Sequence, residues 1–154
     1  MTSPIENKLA ELGITLPTPV PPVANYVPVV RTGNLLFVSG QVSIDAGGTI
    51  ATGKLGAGLD IDAGRAAARL CAINILAQVK AAVGDLEKVV RVVKLVGFVN
   101  SAPDFIDHPK VVNGASDLFV EVLGDKGRHA RSAVGIAALP FNAAVEVEAV
   151  VEVA

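Results

Sequence analysis

Few side chains in this 154-residue chain could do chemistry: there are two His, one Cys, one Tyr and no Trp. The arrangement that stands out is Ala130-Arg131-Ser132 at the entrance to a β-type run, followed by Glu146 and Glu148 in the next such run. A guanidinium is suited to bidentate recognition of a carboxylate. A carboxylate on the adjacent strand could fix Arg131 or position a water. The same spacing also describes a structural Arg–Glu ion pair, and spacing alone leaves both open. His108 and His129 fall in separate loops, without metal-ligand spacing and without an evident partner for a serine triad, so surface or loop roles are expected. Cys71, among Ala and Ile in a helical stretch, is expected to be a buried thiol. The Gly53–Gly58 segment lacks the Lys-Ser/Thr pair of a phosphate loop and is expected to be a flexible loop.

The elements that must carry these residues follow from pattern. Ser3-Pro4-Ile5-Glu6 is a capping-box sequence with Pro at the first helical position, and Gly13 marks a stop, which predicts a helix over about 4–12. Leu16–Pro28 holds five prolines and reads as extended, edge-type chain. Val29-Val30 and Leu35–Ser39 flank the turn Arg31–Asn34 and predict a strand pair. Ala66, Leu70, Ile73 and Ala77 repeat at helical spacing inside Ile61–Val83, closed by Gly84. Val89–Val99 reads as a strand, Pro109–Leu123 as a second long helix, and Arg131–Ala137 and Val145–Val153 as strands. In the last strand Val145, Val147, Ala149, Val151 and Val153 share one face, while Glu146, Glu148, Val150 and Glu152 share the other. The order predicts an α+β fold: a mixed sheet with two main helices on one face, plus a short N-terminal helix.

Composition bounds the rest. The length favours one domain, able to bury about 70% of its unfolded surface. Val occurs 25 times and aromatics make up 4%, so the core is expected to be aliphatic and rich in strands. One Cys excludes an intrachain disulfide and a cysteine-rich zinc site. No uninterrupted apolar run reaches the ~18 residues of a membrane span, and the N-terminus lacks an apolar signal core, so a cytoplasmic protein without membrane partners is expected.

Several segments, in order from Asn25 to Val153, resemble the Rid family, also called the YjgF or L-PSP endoribonuclease-like family. They are Asn25-Tyr26-Val27, Gly33–Gln41 with its Ser39-Gly40-Gln41, Val93–Val99, Val112-Asn113, Phe119, His129–Val134 with its Ala-Arg-Ser, Leu139-Pro140, and Val145–Ala149. Residues 1–20 fall outside the resemblance and read as an N-terminal extension, leaving 21–154 as a single Rid-like domain. The resemblance implies a chorismate-mutase-like two-layer sandwich assembled as a homotrimer, with active sites between subunits. It implies hydrolysis of small 2-imino or enamine acids, such as 2-aminoacrylate, to 2-oxo acids and ammonia, with no metal or organic cofactor. On that basis Arg131 matches the arginine that clamps the substrate carboxylate, Glu148 the glutamate that positions water, and Tyr26 a cleft residue. Ser39, Gly40, Asn113 and Ala133 match substrate-binding positions. Many family members carry Cys where this chain has Ala133, so thiol-dependent chemistry is not expected at that position.

Two other functions fit the same residues. A non-catalytic protein could use the intersubunit cleft to bind small carboxylates such as 2-oxo acids, although it would have no need of the glutamate. A ribonuclease is opposed by the net charge of −2, the single Tyr and the lack of a basic cluster with interleaved aromatics, so no nucleic-acid partner is expected.

Overall fold

Ser3 caps the first helix, its Oγ accepting from the Glu6 backbone N–H at 3.1 Å, and Pro4 occupies the first turn where a missing N–H costs nothing. This helix, α1 (Pro4–Glu11), ends before Gly13, whose φ of +71° supplies the left-handed turn. The capping box is only half used. Glu6 turns to Lys80 at 2.7 Å instead of reaching back to Ser3, and Glu87 accepts from the Ile5 N–H. Those contacts, with Ile5 and Leu9 buried in the main core, fasten α1 to the rest of the domain. The computed structural model describes residues 3–21 and 24–154. Pro22 and Val23 of the proline-rich stretch, and Met1 and Thr2, lie outside the described residues.

The main sheet contains β1 (Val29–Thr32), β2 (Leu35–Val42), β5 (Val89–Asn100), β6 (Ala130–Ile136) and β7 (Val145–Val153). Its order is β1-β2-β7-β5-β6, antiparallel except for the parallel pair β5–β6. Helices α2 (Ile61–Val83) and α3 (His108–Leu123) are the two main helices, and both cover one face. Strand β7 alternates as its sequence predicts: the Val/Ala set is buried beneath the helices, and Glu146, Glu148, Val150 and Glu152 are half-exposed on the other face. The fold is therefore the expected two-layer α+β sandwich with a mixed sheet. The Gly53–Gly58 segment departs from a simple loop, because Lys54–Leu55 (β3) and Gly58–Leu59 (β4) form a two-residue parallel ladder.

The core is aliphatic, as the Val excess requires. Leu36, Ile75, Leu76, Leu95, Leu118 and Phe119 are fully buried, each contributing about 1.5–3 kcal/mol. By length and hydropathy α2 could cross a membrane, yet over half of its most apolar window is buried within the fold. Helices α2 and α3 touch through Gly114, where an added Cβ would overlap the Arg65 backbone carbonyl. A backbone atom cannot swing aside as a side-chain tip can. Gly114→Ala is therefore expected to cost about 3 kcal/mol, read as a lower urea midpoint at unchanged m-value. A loss under about 0.5 kcal/mol would mean the helices are free to separate.

Candidate functional site

Arg131 lies near the start of the edge strand β6. Its register partner is Leu95, which in turn pairs with Ala149 in β7. Both partners are buried under the helices, so the Arg131 side chain projects on the helix side of the sheet. There its Nη1 donates to Asn113 Oδ1 at 2.8 Å and to Ser116 Oγ at 3.1 Å, both on α3. Among the described residues Nε and Nη2 carry no hydrogen bond, which leaves one edge of the fork for a ligand. Ala133, two residues along the same face, is half-buried and packs against the core.

The expected link between Arg131 and a carboxylate on the adjacent strand is absent. Strand β5 stands between β6 and β7, so the two strands are separated by roughly 10 Å. Glu146 and Glu148 also project from the opposite face, because their neighbours Val145, Val147 and Ala149 take the helix side. One chain does not bring Arg131 and either glutamate together.

The open face holds the other predicted residues in two places. Tyr26, Gly40 and Glu146 line one cavity of about 470 Å³, with Phe141, Val20 and Pro21 at its wall. Gly40 belongs to a bulge in β2, where Ser39 and Gly40 fall between the pairs Val38–Ala149 and Gln41–Val147. A Cβ at Gly40 would overlap the Glu146 carboxylate, so only glycine lets that side chain lie across the bulge. Burial raises the Glu146 carboxyl above the ordinary carboxylate range, and the Glu148 charge raises it further. Ser39 and Glu148 line a neighbouring cavity of about 400 Å³ with Lys94 and Phe37. The Ser39 hydroxyl is tied to the Pro28 carbonyl at 3.2 Å.

Both histidines have partners, contrary to expectation. His108 is the first residue of α3, and its Nε2 lies 3.2 Å from Ser101 Oγ. His129 Nε2 lies 2.8 Å from Ser116 Oγ, and its Nδ1 is 2.6 Å from the Gly127 carbonyl. The missed signal was helical spacing: Asn113 and Ser116, three residues apart, present one face of α3 to Arg131 and His129. Burial lowers the His129 pKa; the Gly127 bond opposes this, and the nearby Arg131 charge adds to it. Cys71 is fully buried, as expected, and burial, reinforced by Glu146, pushes its thiol far above the ordinary range. Among the described residues no three His, Cys, Asp or Glu side chains converge in a way that could hold a metal.

Residues 6–153 match the family model described as "YjgF/chorismate_mutase-like, putative endoribonuclease". Protein TCP17 of Trypanosoma cruzi is 54% identical over 145 residues, covering 94% of this chain and 91% of its own. The crystal structure of Atu1372 from Agrobacterium tumefaciens, a protein of unknown function, is 56% identical with a TM-score of 0.90, over 97% of this chain and 93% of that one. The structure of E. coli TdcF with bound serine is 25% identical with a TM-score of 0.63, over 91% and 96% of the two chains.

The Glu146–Glu148 pair yields a signed expectation. Removing the neighbouring charge in Glu148→Gln lowers the Glu146 titration midpoint, since repulsion no longer penalises its ionised form. Burial remains, so the midpoint stays above that of a free glutamate. Carboxyl-carbon NMR titration reads both values. An unchanged midpoint would mean that solvent screens the pair.

Proposed function

The chain belongs to the YjgF/chorismate mutase-like family, and from that membership we propose that it is a hydrolytic deaminase of small 2-imino and enamine acids. The observation that carries this reading is a guanidinium held in place by Asn113 and Ser116, with one edge of its fork unbonded among the described residues. Such a group suits a substrate carboxylate. The structure of TdcF with bound serine supports the same class, because serine is an α-amino acid and its dehydration product is 2-aminoacrylate.

Arg131 binds the carboxylate and fixes the adjacent imine carbon in place, mostly a proximity contribution. Glu146, in its ionised form, accepts a proton from water as the oxygen adds to that carbon and the C=N electron pair moves to nitrogen. The protonated Glu146 then returns a proton to the nitrogen of the carbinolamine. As the C=O bond forms and the C–N bond breaks, the hydroxyl proton of the carbinolamine passes through Glu146 to the departing nitrogen, so that ammonia and the 2-oxo acid leave and Glu146 is again ionised. We give this role to Glu146 ahead of Glu148 because it shares a cavity with Tyr26 and its raised pKa suits a general base near neutral pH. The Tyr26 hydroxyl is available to orient the water, and Glu148 acts through its charge on Glu146.

Since Arg131 and Glu146 face opposite sides of the sheet, this chemistry requires two copies of the chain. We place the site between subunits of a homotrimer, Arg131 with Asn113 from one copy and Tyr26 with Glu146 from its neighbour. The exposed apolar residues Val30, Phe37, Val90 and Val134 on the sheet face support such an assembly.

With 2-aminoacrylate generated in situ, the wild type should speed release of ammonia and 2-oxo acid. Arg131→Ala should lose roughly 100-fold in kcat/KM, and Glu146→Gln about 100-fold in kcat. If both variants match the wild type, the assignment fails.

Complementation tests the assembly. Co-refolding Arg131→Ala with Glu146→Gln should restore about a quarter of the wild-type activity, because random mixing leaves that share of interfaces with both groups intact. No recovery from a mixed assembly would place both residues' action within one chain. Thermal protection by 2-oxobutanoate without turnover would instead identify a binding protein.

A further inference from the structure

We propose that His129 is a positioning residue that sets Arg131 for carboxylate capture through the hydroxyl of Ser116. The proposal rests on the deaminase reading for its kinetic test, but its geometry and its effect on ligand binding do not.

The proton positions follow from the partners. The Gly127 carbonyl can only accept, so His129 Nδ1 carries the hydrogen of that 2.6 Å bond. In the neutral ring Nε2 is then an acceptor, and the partner 2.8 Å away is the Ser116 hydroxyl. Ser116 has one proton and gives it to His129. Its oxygen lone pairs are thereby directed to the other contact, Arg131 Nη1 at 3.1 Å. The result is a continuous chain in which Arg131 donates to Ser116, Ser116 to His129, and His129 to the backbone of Gly127. Without His129 the hydroxyl proton is free to rotate towards the guanidinium, where two donors would meet. Asn113 would then be the only firm acceptor left to hold Nη1.

The ring itself is fixed. The Phe119 ring meets it edge-on at 6.2 Å between centroids, and the imidazole is half-buried between α3 and β6. The charged groups around it are Arg131 on β6 and the exposed Asp125, Lys126 and Arg128 of its own turn, while Lys94 of β5 lies on the opposite face of the sheet with Glu148. From α3, Ser116 bonds its Nε2 and the Phe119 ring packs against it. Of these charges Arg131 acts directly on the ring, and together with burial it favours the neutral form. A protonated His129 would reverse the chain. Its Nε2–H would donate to Ser116, displace the hydroxyl proton, and bring a second positive charge beside the guanidinium. Capture should therefore weaken as pH falls through the lowered His129 pKa.

The test compares wild type, His129→Leu and His129→Gln, reading the Kd for 2-oxobutanoate by calorimetry and KM and kcat for 2-aminoacrylate. The Gln amide oxygen can take the Ser116 proton, and Leu cannot. His129→Leu should weaken Kd and raise KM by about 5-fold, the size of one lost hydrogen bond, with kcat within about 2-fold. His129→Gln should recover most of that loss. In the wild type, nitrogen-15 NMR should show the proton on Nδ1. A Gln variant no better than Leu at equal thermal stability, or a proton on Nε2, would overturn the proposal. Wild type that binds 2-oxobutanoate without turnover would sink the deaminase reading while the Kd comparison still decides this one. Absence of any carboxylate binding by the wild type would sink both.

Discussion

Two parallel strands cannot be joined by a tight turn; they need a crossover, and here the crossover is α3. Much of the site follows from that. The crossover brings α3 back over the pair it connects, so that Asn113 and Ser116 overhang the start of β6. It also makes β6 the sheet edge, with β5 between it and β7. Arg131 is therefore held from above by a helix and kept away from every carboxylate of β7. A guanidinium that met a glutamate in its own chain would have less of its fork available to a substrate.

The same separation leaves Glu146 and Glu148 on the open face without Arg131 as a counter-charge. Neither is neutralised by a salt bridge among the described residues, and two carboxylates two residues apart on one strand repel each other. The chain accommodates Glu146 by local geometry. A bulge at Ser39-Gly40 and the missing Cβ of Gly40 let its carboxylate lie across β2. Partial burial there shifts its proton affinity upward, which is unfavourable for an ionised ion-pair partner and suitable for a group that exchanges protons with water.

Legibility in the sequence followed the range of the interactions concerned. Every main helix and strand could be read, because capping at Ser3, the stops at Gly13 and Gly84, and the period-two pattern of β7 are local. The pairing of Arg131 with Asn113 could be anticipated only as membership of one site, through family resemblance. What escaped was spatial order. Reading β6 and β7 as neighbours suggested an Arg–Glu contact that β5 prevents, since chain order does not give strand order in a mixed sheet. The His129–Ser116 pair escaped for a related reason. Thirteen residues separate them, and only the docking of α3 on β6 closes that gap.

The open sheet face connects stability to the proposed chemistry. Val30, Phe37, Val90 and Val134 are between 43% and 53% exposed on a face that also carries the carboxylates. In one copy this apolar surface would remain in water, which disfavours a lone subunit. Under the proposed deaminase reading, association that covers it would also bring Arg131 and Glu146 together across a subunit boundary. The hydrophobic driving force for assembly and the completion of the catalytic set would then be the same event. A small set of groups can suffice under that arrangement. The imine carbon is already electrophilic, so the protein need supply only an anchored carboxylate, a held water and a carboxylate base near it. Ala133 fits this economy: the proposed steps call for no thiol, and the one cysteine of the chain is sealed in the core.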